Sequence, residues 1–487
     1  MLKKRIDFID VAKFLGVILV IFAHSLPGET IAVKYIFTFH MPLFFFINGM
    51  TMRFKKDENF GAFLWKRIKS YIFPMIFLGV IIAISTIILS NLRGAPVDKE
   101  YFLRTFIETI GEKRMFAIWF LAALFCTDIL FYFCHWLARG NLAFTGLFSL
   151  LILGFGIYCN KHYKVAYIYN FDASLIAIIF VYFGYLFMHP LFTKVRKAIM
   201  FKRWTALLFG LAFLALGLYL GKLNRDINHS NLEMFAASYD KFYLTLPSAL
   251  FGSLGFVLIC YTISNPLFAK LGSTTIVLFS LHQDLTFPIF REYIAKGFYE
   301  SIIHANPLLP PDCPEWYSFA ALQTVFTLAV LLVLYYLIIY SPLAICIGHK
   351  EPKWFVNVWE KFVGFIFKTF NKVLLNNKDI IEDNDEFRIF VNKKQTSFMV
   401  TNNNNNLILW IHKKEKKDKI IYSNWVYIDR NINVDESYKK ILLESNKQII
   451  YKPNYKIEEI STLDSLGFSK IEILDKTSNK NIINYTR

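Results

Sequence analysis

The sequence has only six cysteines and no C-x-x-C pair. Five of them, Cys126, Cys134, Cys159, Cys260 and Cys346, lie in or beside apolar runs, and Cys313 stands alone in a loop. That pattern argues against both a disulfide framework and a cysteine metal site. A cleavable leader is also lacking. Met1–Asp10 is charged, but the apolar run behind it has no small-residue cleavage site and leads straight into another, so the first helix reads as a retained signal anchor. Polar faces at helical spacing are missing from most long apolar runs, which excludes a large soluble helical protein. Residues 1–170 and 171–346 show no internal repeat.

What is present in excess is apolar length. The chain has 487 residues, 51 of them Phe, and a mean hydropathy of +0.39. Several runs approach the roughly 20 residues needed to cross a hydrocarbon core. About ten spans are predicted, near 11–28, 34–52, 70–90, 116–136, 142–159, 172–188, 204–222, 244–262, 273–290 and 318–346. The ninth holds His282, Asp284 and Pro288 and is expected to be broken or to line a cavity.

The net charge of +17 sits in loops and in the C-terminal tail, where it fits anionic headgroups rather than nucleic acid. Basic clusters at Lys3–Arg5, between 53 and 69, and between 194 and 203 fall on one side of the membrane, which should be the cytoplasmic side and hold both termini; the plasma (inner) membrane is the expected location. The loop 91–115 is also basic but must lie outside. It is longer and carries four acidic residues, and basic bias counts for less in long loops.

Three regions follow: an all-α membrane part over 1–350, an interfacial amphipathic helix and linker over 351–376, and a small soluble α+β domain over 377–487. In the last, Phe387–Val391, Ser397–Thr401, 407–412 and 425–429 read as strands and about 435–446 as a helix. It shows no catalytic constellation. Its role is left open, with a cytoplasmic protein partner as one expectation.

The chain is organised around Asp10–Gly49. Lys13 and His24 are eleven residues apart, which on a helix puts them about 16 Å apart along the axis and within about 20° of one face. His24, His40 and His282 all fall inside predicted spans, at depths that would let them meet. Ionisable groups there are costly and mark function. The bland readings are interhelical hydrogen bonds for each histidine, headgroup snorkelling for Lys13, and simple pairing of Lys13 with Asp10.

Asp10-x-x-Lys13 followed by His24 resembles the signature of the acyltransferase 3 family of integral membrane acyltransferases. His40–Gly49, HMPLFFFING, is similar to the family's second motif, which usually ends Ser-Gly, so Asn48 departs from it. Lys66-Arg67 with Pro74, Trp119-Phe120-Leu121, and Leu271-Gly272-Ser273 with His282 resemble later family segments. Lys13 stands where arginine is commoner. The resemblance spans about 1–346.

It implies transfer of an acyl group, acetyl being the expected one, from cytoplasmic acyl-CoA to a hydroxyl of a cell-surface polysaccharide or glycolipid. His24 would be the general base, with direct acylation of His24 as a variant. Lys13, Lys66 and Arg67 would hold CoA phosphates, and Asp10, His40, Trp119, His282 and Asp284 would shape the acceptor site or support it. Acyl-CoA would be a co-substrate, with no permanently bound cofactor and no metal. The rival reading from the residues alone is a proton-coupled transporter or flippase, with the intramembrane histidines and Asp284 as a relay.

Overall fold

The structure is a computed structural model. It describes most of residues 7–349, apart from the connections at 55–58, 95–99, 101–116, 164–169 and 306–309 and some positions between 229 and 264; beyond 349 it describes chiefly strands. The chain forms two compact units, one made mainly of Ile6–Ile339 and one mainly of His349–Arg487.

The larger unit is helical, and nine of its described helical segments are long and apolar enough to cross a membrane. They are α1 (Asp7–Ser25), α2 with α3 (Ile31–Ile36 and His40–Thr51), α4 with α5 (Phe60–Arg67 and Phe73–Leu92), α6 (Trp119–Leu137), α7 (Leu142–His162), α8 (Phe171–Met188), α9 (Arg203–Asn228), α10 (Phe242–Ile263) and a last long helix, Pro314–Ile339. The ninth expected span is broken, as its His282, Asp284 and Pro288 led one to expect. A short helix α11 (Thr275–Leu281) gives way to a π turn at His282–Thr286, a single turn at Phe287–Ile289 and a second π turn at Phe290–Ile294. The last long helix is α12 (Pro314–Ile339).

Prolines accompany three of the irregularities. Pro288 has no N–H to give the Asp284 carbonyl, and the wider turn just before it absorbs the mismatch. Pro74 does the same behind a π turn at Ile68–Ile72. Pro42 cannot donate to the Thr38 carbonyl, so the second span stops at Ile36 and restarts at His40, which puts His40 at the head of α3.

α3 and α8 pack backbone to backbone. A Cβ at Gly49 would collide with the Val181 carbonyl, and one at Gly184 with the Phe46 carbonyl, so only glycine permits this approach. Buried Phe45, Phe46 and Phe131 fill the centre. Thr127, Ser149, Thr286 and Thr324 each donate their hydroxyl to a carbonyl four residues back, which satisfies these polar groups inside an apolar bundle.

In the smaller unit, eight described strands form one sheet in the order β1-β2-β3-β4-β5-β6-β8-β7. They are β1 (Asp379–Asp383), β2 (Phe387–Val391), β3 (Ser397–Asn402), β4 (Leu407–Glu415), β5 (Lys419–Tyr427), β6 (Gln448–Lys452), β7 (Ser469–Asp475) and β8 (Lys480–Thr486). All neighbours are antiparallel except β5 and β6. The helix expected near 435–446 lies outside the described residues, as does most of the expected interfacial helix.

Candidate active site

Successive spans alternate in direction, so the unit has two poles. α1 begins at one, where Gly272 lies against the Asp10 carbonyl and Lys13 donates to Asp10 Oδ1 at 3.2 Å. α1 ends at the other. There the Ile31 N–H and the Tyr317 hydroxyl both donate to Asp312 Oδ1 at 2.8 Å, and Arg93, just past α5, makes a two-pronged ion pair with Glu292. Lys13 and His24 therefore sit toward opposite poles of one helix.

The three intramembrane histidines come together. The His24 ring centroid is 5.4 Å from that of His282 and 6.2 Å from that of His40. His40 and His282 are buried, and His24 is partly open. His282 Nδ1 lies 2.7 Å from the Phe279 carbonyl. A carbonyl only accepts, so Nδ1 carries the hydrogen, and in the neutral ring Nε2 is left as a proton acceptor. That Nε2, and Nδ1 of His40, are buried with no hydrogen-bond partner among the described residues. Phe37 packs on both His24 and His40, at 5.5 and 4.6 Å.

His24 also opens onto a cavity of about 370 Å³ toward the second pole, lined as well by Gln283, Phe287, Arg291, Glu292 and Tyr299. Of the three histidines, it alone lines this cleft.

The other residues singled out from the sequence stand around this centre. Trp119 is buried at the start of α6 against Phe120 and Phe235. Phe120 reaches Phe279 at 4.8 Å, and Phe279 reaches His282 at 6.0 Å, so two rings link Trp119 to His282. Asp284 accepts a hydrogen bond from the Ala117 backbone, just ahead of α6, and its Oδ2 has no hydrogen-bond partner among the described residues.

Lys66 is half-buried, while Arg67 is drawn inward, with its Nε 2.9 Å from Asp128 Oδ2 and its side chain only 11% exposed. Asp128 is fully buried and also accepts from Asn48 Nδ2 at 2.5 Å. The Tyr71 hydroxyl lies 3.2 Å from both Asn48 Oδ1 and Asp128 Oδ2. Arg67 further contacts the Met52 sulfur and stands over the Phe63 ring.

The sequence reading passed over Asp128, Tyr71 and Arg291. For Asp128 the signal existed, since a carboxylate in the middle of an apolar helix demands a partner.

Among the described residues, nine helical segments long and apolar enough to cross a membrane, with a buried histidine cluster opening on a cleft, fit a multi-pass membrane protein. A search of the curated proteins and one of the solved structures found no match. The acyltransferase 3 family model, described as an acyltransferase domain, matches residues 6–338. The chain belongs to this family of membrane acyltransferases, and the matched stretch holds every residue of the cluster and the cleft.

Proposed function

We propose that the protein moves an acyl group, an acetyl group in the first instance, from acyl-CoA presented at the Lys13 pole to a hydroxyl of a cell-surface polysaccharide or glycolipid held in the cleft at the other. One observation carries this reading: His24 belongs to the buried cluster and also lines the open cleft. It is therefore the imidazole an incoming hydroxyl can meet. The roughly 16 Å of helix between Lys13 and His24 is comparable to an extended pantetheine arm.

In the step itself, a neutral His24 nitrogen takes the proton as the hydroxyl oxygen attacks the thioester carbonyl. The carbon–sulfur bond of the tetrahedral intermediate then breaks, and the leaving CoA thiolate takes the proton back from His24. The new ester and free CoA leave with atoms and charge balanced. His282, with Nε2 as an acceptor, would steady the imidazolium formed on His24 rather than donate to an oxyanion. His40, Trp119 and Asp284 would fix the geometry around it. Lys13, set by Asp10, and Lys66 would meet the CoA phosphates. Arg67 would assist with its charge already partly matched by Asp128. Both termini would be cytoplasmic in the plasma membrane, and the smaller unit is open to a protein partner.

Purified full-length protein given acetyl-CoA and a glycan acceptor should lose at least about a hundredfold in transfer rate on His24→Ala, with its melting profile retained. Undiminished transfer would sink the assignment of His24. Solute flux in liposomes without acyl-CoA would support the transporter reading instead.

A further inference from the structure

The cleft beside His24 contains two oppositely charged side chains on adjacent residues, Arg291 and Glu292, and they are treated differently. Glu292 is matched by both prongs of Arg93. Arg291 is held by neutral groups. Its Nε donates to Gln323 Oε1 at 3.2 Å, and its guanidinium stands 5.0 Å from the Phe287 ring centroid and 5.3 Å from that of Tyr299. Gln323, whose amide oxygen takes this bond, is fully buried on α12. Among the described residues Arg291 has no carboxylate partner. Among the described residues, the cleft therefore carries one positive charge that no carboxylate pairs with. Burying such a charge is unfavourable unless something completes it.

We propose that the acceptor is an acidic sugar, and that Arg291 grips its carboxylate or phosphate while Phe287 and Tyr299 wall the ring beside it. This rests on the reading of the cleft as the acceptor site. A guanidinium suits the task because its planar fork matches both anions with paired hydrogen bonds. The two rings beside it and the bond to Gln323 hold the guanidinium in place before the ligand arrives. Glu292, already engaged by Arg93, adds little repulsion toward the anion. The cleft's volume falls within the usual range of small-ligand sites.

The test uses the full chain in phosphatidylcholine vesicles, so that no anionic lipid competes. Binding is measured for three probes: a neutral maltooligosaccharide, its phosphorylated counterpart and an oligogalacturonate. Wild type should favour at least one anionic probe over the neutral one by about tenfold or more, and which one wins separates carboxylate from phosphate recognition. The preference should weaken with added salt. R291Q should bring the anionic-to-neutral ratio toward one, and R291K, which keeps the charge but not the fork, should restore part of it. Equal binding of all three probes by wild type, no binding of any, or a proportionate loss of all three in R291Q would overturn the proposal. Turnover with acetyl-CoA on the same panel separates it from the functional reading. Selective binding with no transfer to any acceptor defeats the acyltransferase reading, and transfer to neutral and acidic sugars with equal kcat/KM defeats the role of Arg291 alone.

Discussion

Asp128 ties its own helix to two other spans. Its carboxylate is fully enclosed and takes Arg67, Asn48 and Tyr71 from them. Removing one member of a buried pair strands the other charge and typically costs about 3–5 kcal/mol. Asp128→Ala should therefore lower thermal stability in detergent markedly, and pairing it with Arg67→Met should recover most of the loss. If the single variant melts like the parent, Asp128 is not a brace. At this scale the sequence was readable where a motif marked it and opaque elsewhere. His24, His40 and His282 stood out as polar residues in apolar runs, and the structure brings their rings together. Arg67 was expected to hold a CoA phosphate, and nothing in its own neighbourhood announces that a carboxylate sixty-one residues later pairs with it. Asn48, noted only as a departure from the family's usual serine, is a donor to that same carboxylate.

Among the elements, the proline-linked interruptions do the positioning. Pro42 stops one helix so that another can begin at His40, and Pro288 lies two residues past the π turn that begins at His282. Pro42→Ala permits a continuous helix from Ile31, which would swing His40 out of the cluster. The expected result is a fall in kcat of about tenfold or more with a smaller change in KM, since positioning is lost rather than binding. Circular dichroism should show helix content held or slightly raised; an unaltered kcat would mean the break is incidental. The stretches holding Pro42 and Pro74 read as continuous spans, and of the breaks only the one near Pro288 was legible. The π turns that accommodate Pro74 and Pro288 were not, because widening a turn is one of several ways a helix can answer a proline. The glycine contact between α3 and α8 was equally hidden, since neither Gly49 nor Gly184 names its partner.

For the whole molecule, the two poles make a claim about topology. With the spans alternating, Ile31 and Arg93 lie at one pole and Leu191 at the other; Ile31 and Leu191 are well exposed. In a background cleared of reactive native cysteines, Ile31→Cys should be labelled by an impermeant maleimide from one face of sealed vesicles, and Leu191→Cys only from the other. Labelling of both from one face would contradict the alternation. The number of crossings was nearly legible from apolar length alone. The exception is the segment after Gly272, whose breaks leave no single helix long enough to count.

The Arg67–Asp128 pair also bears on how the chain enters a bilayer. Either charge alone at the centre of a membrane helix costs roughly 2.5–3.5 kcal/mol on insertion scales. Arg67 lies on the segment made first, near the end where its span begins, and Asp128 lies near the middle of the next long helix. During synthesis the cation is thus already in place when the carboxylate arrives, so the costlier passenger is delivered to a waiting partner.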